Sequence, residues 1–283
     1  MEYRMLKRII TALVLCVIGV LLHVYCDTAY YPIIWFLLSV IGVAEYLASY
    51  RLLFKWHLAV PALLFASAMP FVAYYVRNTH QAVEILFFAI MVYAALLFIG
   101  AVLTHPKYTQ SEIFTVFSGG VYITGAFSAM AALFNAAPSY PAVYVLMVFF
   151  GACFTDVFAY FTGYFIGKHK LAPALSPKKT VEGSIGGLLG CVLVYVIYAF
   201  VLSQITDLTP NYLTISIAAV VISFCAQLGD LVMSKIKREN GIKDFGKIFP
   251  GHGGVLDRFD SFLIVAPIFL AFMLFSEGSV FFK

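Results

Sequence analysis

Asp230, Asp257 and Asp260 fall within 31 residues of a 283-residue chain. Carboxylates gathered this closely repel one another unless a cation holds them. Hard oxygen ligands suit Mg²⁺, which commonly takes one or two protein carboxylates and completes its shell with water and substrate phosphates. Lys237, Arg238, Lys243, Lys247 and Arg258 stand among them as phosphate partners, and Arg can bind bidentately. Gly251, Gly253 and Gly254 flank His252 and would let backbone amides approach an anion closely. Such a set could hold a metal ion together with phosphorylated ligands.

Each residue also has a plainer reading. Asp257 is a good helix N-cap, the Lys and Arg run could be a topological signal or a patch for anionic lipid, and His252 could be an ordinary loop residue. Their joint occurrence from Asp230 to Asp260 favours the site. At helical spacing Ser234 and Lys237 fall on the face of Asp230. Asp257 and Asp260, three apart at the start of the last apolar run, would share one face of a helix.

The elements that must carry these residues are membrane spans. Mean hydropathy is +0.95, and 11% of residues are charged, whereas a soluble domain has about 25%. A spanning helix needs about 20 mostly apolar residues. Nine such runs are expected over 9–25, 32–48, 58–76, 83–103, 113–134, 141–167, 184–203, 212–235 and 259–275. With the N-terminus cytoplasmic and the C-terminus outside, 16 of the 18 basic residues fall on the inner side, leaving Arg77 and Lys283. The net charge of +4 therefore reads as topology and gives no reason to invoke nucleic acid.

The first run lacks the small-residue site of a cleaved signal peptide and reads as a retained helix. The five cysteines are scattered without a C-x-x-C pair, which argues against a zinc site or a disulfide framework. The chain reads as an all-α, polytopic membrane protein of one domain, 1–283, with N-terminal helices over 1–135 and site-bearing helices and cytoplasmic loops over 136–283.

Charges inside spans are costly and need an explanation. Glu45 and Glu84 read as residues that hydrogen-bond within the bundle or reach water at a helix end. Asp156, near the middle of the sixth run, points to a polar cavity. Gly163 and Gly167 on that run have the spacing of close helix packing. In the following loop Lys178 and Lys179, beside Ser176 and Thr180, offer donors to an anion. Gly183, Gly186 and Gly187 open the next helix, whose N-terminal amides also favour phosphate. An ordinary positively charged loop is the equal alternative.

The stretch 234–260 carries Ser234, Ile236, Lys237, Arg238, Lys243, Asp244, Gly246, Phe249, Pro250, His252, Gly253, Gly254, Val255, Asp257, Arg258, Phe259 and Asp260. Together they resemble, without a gap, the signature of the phosphatidate cytidylyltransferases, also called CDP-diacylglycerol synthases. The resemblance extends to "QLGDLVMSKIKR", "SPKKTVEG" and "DVFAYFTGYFIGK", and so through Asp156 to Asp260. Met233 stands where that family often has an acidic residue, and Val181 where it often has Trp.

The resemblance implies that CTP and phosphatidate give CDP-diacylglycerol and pyrophosphate at the cytoplasmic side of a bacterial inner membrane. It implies Asp230, Asp257 and Asp260 as ligands of Mg²⁺, with a monovalent cation such as K⁺ as an option. Lys237, Arg238, Lys243 and Arg258 would hold phosphates, and Lys178 and Lys179 would contact nucleotide or lipid head. Ser234 and Asp244 would line the substrate site, with Asp156 beside it. His252, Gly253 and Gly254 would shape the nucleotide loop. A homodimer is also implied. A sibling enzyme using CTP on another lipid, and a secondary transporter, are the rival readings.

Overall fold

The computed structural model describes residues 28, 30–136, 140–249, 251, 253–275 and 281–282. The run expected over 9–25, both termini and His252 lie outside them. Among the described residues seven helices are long and apolar enough to cross a membrane. They are α1 (Tyr31–Ser49), α2 (Trp56–Tyr75), α3 (Thr79–Leu103), α4 (Gln110–Ala136), α5 (Pro141–Ile166), α6 (Val181–Ile205) and α7 (Tyr212–Glu239). An eighth, α8 (Phe262–Phe275), has 14 residues.

These helices coincide closely with the expected apolar runs, because hydropathy and length are local properties of the chain. Proline opens α1 and α5 within their first two positions, where its missing N–H costs nothing. Many apolar side chains on α3, such as Phe87, Phe88 and Leu103, stay exposed, as suits a helix whose solvent is hydrocarbon.

Two departures concern the loops. The segment after α5 forms an antiparallel hairpin, β1 (Lys170–Ala172) with β2 (Ser176–Thr180), pairing Lys170 with Thr180 and Ala172 with Ser176. It is the one sheet among the described residues of an otherwise helical chain. In addition, Asp257 and Asp260 do not share a helix face. Both lie in turns before α8, which begins at Phe262.

The chain divides into two compact units. The first contains α1 to α4 through Asn135 together with Glu239–Phe259. Trp35, Leu47, Leu58 and Phe127 are fully buried in its core. Its helices are tied by long-range bonds: Tyr31 donates to the Met130 carbonyl at 2.9 Å, and Tyr93 to that of Val116 at 2.7 Å.

The second unit contains Ala136–Arg238 and the chain from Asp260 onward. Here α5 and α6 pack so closely that a methyl on Gly183 would fall 3.2 Å from the Gly163 Cα. Close packing is therefore the role of this glycine pair. Thr180 caps α6, its hydroxyl accepting the Gly183 N–H at 3.1 Å.

Candidate functional site

In the second unit, a cavity of about 620 Å³ is lined by residues of α5, the hairpin, α6 and α7. Asp156 reaches it from α5, Lys178 and Lys179 from β2, Ser184 and Gln227 from α6 and α7, and Asp230 from α7. Lys179 makes an ion pair with Asp230. Ser234, one turn further along α7, donates to Asp230 Oδ1 at 3.2 Å, which is the expected i,i+4 relationship. Lys237, a turn beyond, is buried.

Asp260 joins this group through a glycine. Gly229 precedes Asp230 on α7, and a Cβ there would meet the Asp260 carbonyl oxygen at 2.7 Å. Only a residue without a side chain lets the turn at 260–261 lie against the helix. Burial and then the negative charges of Asp230 and Asp156 push the Asp260 carboxyl up to about 7, with Lys237 opposing. Ser261 donates to Asp156 Oδ2 at 2.8 Å, and its N–H to Asp260 Oδ1 at 2.9 Å. Asp156, the residue whose role the sequence left most open, is therefore drawn into the same acidic group.

These are oxygen donors that repel one another, and that chemistry fits a hard divalent cation. Among the described residues no group of three or more His, Cys, Asp or Glu side chains is arranged to hold a metal ion by itself. Mg²⁺ asks for no such cage, since it is usually bound by one or two carboxylates plus substrate phosphates.

In the first unit the signature loop is organised around two buried carboxylates. Asp257 Oδ2 accepts the N–H of Phe245 at 2.7 Å and of Gly254 at 2.9 Å. Glu45, on α1, accepts the N–H of Val255 on Oε1 and of Leu256 on Oε2, each at 3.0 Å. Gly251 and Gly253 adopt positive φ values of 82° and 86°, and Phe249 N–H bonds the Gly253 carbonyl at 2.9 Å. The amides of Gly254, Val255 and Leu256 thus meet the protein's own anions. The expectation that Gly254 lends its amide to an external phosphate gives way to this arrangement.

The remaining candidates are placed simply. Arg238 on α7 is exposed, as are Lys243 and Arg258 in the loop segments that follow, so each of these cations is accessible to a phosphate, and Asp244 is exposed beside Lys243. Glu84 is exposed near the start of α3. Sequence reasoning gave no role to Ser261, Gly229, Ser184 or Gln227. Ser184 Oγ donates to Gln227 Oε1, and Gln227 Nε2 returns a bond to the Ser184 carbonyl at 3.2 Å. Gln227, a polar residue inside an apolar run, was the available signal for that pair.

Comparison with known proteins agrees with the signature. Over 125 residues the chain is 47% identical to the phosphatidate cytidylyltransferase of Staphylococcus epidermidis, 46% to that of Staphylococcus haemolyticus and 45% to that of Staphylococcus aureus. The matched stretch is 44% of this chain and 46% of each relative, so it spans about half their length. A family model described as the cytidylyltransferase family matches residues 6–276. The chain belongs to the cytidylyltransferase family.

Proposed function

We propose that the protein transfers a cytidylyl group from CTP to phosphatidate, releasing pyrophosphate and leaving CDP-diacylglycerol in the membrane. The observation that carries this reading is the acidic group of Asp156, Asp230 and Asp260, the first two of which line one cavity with Lys178 and Lys179 among membrane-length helices. The Staphylococcus proteins named phosphatidate cytidylyltransferase support the choice of substrates.

In the proposed reaction an oxygen of the phosphatidate phosphate attacks the α-phosphorus of CTP. A new P–O bond forms as the bond to the β-phosphate oxygen breaks, and pyrophosphate leaves with that electron pair. The lipid phosphate is already anionic, so no side chain is assigned as general base. Positioning and charge neutralisation carry the step. Lys178 and Lys179 line the cavity and hold phosphate or head group, while Lys237, Arg238, Lys243 and Arg258 balance the remaining phosphate charge. Asp230 and Asp260 would hold Mg²⁺, with K⁺ as an optional companion; when bound, the divalent ion polarises the α-phosphate and screens the leaving group. Asp257 joins them on the strength of the signature resemblance.

The same reading includes nine crossings, a cytoplasmic N-terminus, a site facing the cytoplasm of a bacterial inner membrane and a homodimer. The homodimer rests on the family resemblance and the bacterial membrane on the Staphylococcus relatives, while the charge pattern supports the topology. Four lysines lie between α5 and α6 and none between α6 and α7, and the basic signature follows α7.

The test is pyrophosphate release from CTP by the purified protein in detergent, with and without phosphatidate, in Mg²⁺ and in excess chelator. Release that requires both lipid and Mg²⁺ is expected. Release with ether-linked but not ester-linked lipid phosphate would reassign the substrate, and no release with any lipid phosphate would overturn the transferase reading.

A further inference from the structure

We infer that Glu45 is a positioning residue for the proposed reaction: it sets the turn Gly254–Leu256 and, through that turn, the carboxylate of Asp257. The inference rests on the functional reading above.

A charge inside a span costs about 2.5–3.5 kcal/mol on insertion scales, so a glutamate 8% exposed on α1 needs a compensating partner. It has two. Both carboxylate oxygens are engaged, one by Val255 N–H and the other by Leu256 N–H, across 210 and 211 residues of chain. The amide before them, Gly254 N–H, goes to Asp257 Oδ2. Three consecutive amides are therefore divided between two carboxylates.

That division couples the two acids. The turn cannot rotate to release Glu45 without carrying the Gly254 N–H away from Asp257. The packing leaves no slack either. A side chain on Gly246 or on Gly254 would collide with the Glu45 carboxylate, and one on Gly253 would meet Asp257 Oδ2 at 2.6 Å. Glu45 thus acts on the signature loop as a fixed internal anion, holding the Val255 and Leu256 amides in the geometry that leaves the Gly254 amide to orient Asp257.

Glu45→Gln in the full-length protein tests this, because it keeps the side chain's size but turns an NH₂ group toward one amide donor. Two readouts separate positioning from bulk folding. The first is hydrogen exchange of the peptide covering 253–257, which should accelerate while the rest of the first unit keeps its protection. The second is the Mg²⁺ concentration for half-maximal pyrophosphate release, expected to rise about tenfold, which corresponds to about 1.4 kcal/mol. The rise in unfolding midpoint that Mg²⁺ produces without substrates should shrink in parallel.

Should Glu45→Gln fail to accumulate, Gly254→Ala crowds the same carboxylate and should shift the same readouts. A variant with unchanged Mg²⁺ dependence and unchanged exchange at 253–257 would overturn the inference, even if its thermal stability fell. A wild-type protein inert to CTP and phosphatidate would overturn the functional reading, and this inference with it.

Discussion

The hydroxyl of Ser261 donates to Oδ2 of Asp156 at 2.8 Å, joining residues 105 apart in the chain. The same residue's N–H holds Asp260 Oδ1 at 2.9 Å, so Ser261 fixes two carboxylates of the acidic group at once. A hydrogen bond to a charged group contributes about 1.5–3 kcal/mol, so Ser261→Ala should lower kcat/KM at least about tenfold. Combined with Asp156→Asn, its effect should be far from additive. Additive losses in a double-mutant cycle would show that the two residues act independently.

The Asp260 carboxyl keeps its proton up to about 7 in the folded protein, whereas an unfolded chain releases it near about 4. The metal-free folded state therefore binds the extra proton between those values. Its stabilising contribution is full below the ordinary carboxylate range and is lost as pH rises to about 7. Thermal unfolding in excess chelator should show the midpoint falling across that window, and Asp260→Asn should flatten the fall. Mg²⁺ competes with the same proton, so the concentration needed for activation should drop with rising pH and level off above about 7. A wild-type midpoint indistinguishable from that of Asp260→Asn at every pH would contradict the assignment.

Asp257→Asn should abolish turnover and leave membrane insertion intact. The asparagine oxygen can still accept the Phe245 and Gly254 amides that Asp257 Oδ2 accepts now, so the loop survives while the charge is lost. Pyrophosphate release by the purified variant is the check, with size-exclusion elution reporting its folding. Turnover near the wild-type rate would remove Asp257 from the ion.

Gly229→Ala should damage the site from behind. Its Cβ would sit 2.7 Å from the Asp260 carbonyl oxygen and 3.0 Å from that of Ser261, both backbone atoms with little room to yield. Overpacking of this kind typically costs about 1–3 kcal/mol. Thermal stability should fall by that order, and activity should fall further because Asp260 is displaced from Asp230. Unchanged activity in this variant would mean that the close approach of the turn to α7 does not set the acidic group.

The sequence by itself determined the apolar runs that become membrane-length helices, the loops in which basic residues collect and the signature of the family. Each is a local property: hydropathy over about 20 residues, basic residues between apolar runs, and a signature read without gaps from Ser234 to Asp260. The i,i+4 bond between Asp230 and Ser234 was legible for the same reason, since helix geometry makes it a matter of spacing.

What the tertiary structure decided are relationships that no spacing encodes. Ser261 meets Asp156 across 105 residues, and Glu45 meets Val255 across 210. The helical pattern expected at Asp257 and Asp260 failed because the residues around them are held by such long-range bonds, of Val255 and Leu256 to Glu45 and of Ser261 to Asp156, which favour turns over a regular helix. Glu45 could be seen in the sequence as a costly charge inside a span. Its partners are backbone amides, a group every residue but proline carries, so only the fold could say which of them it holds.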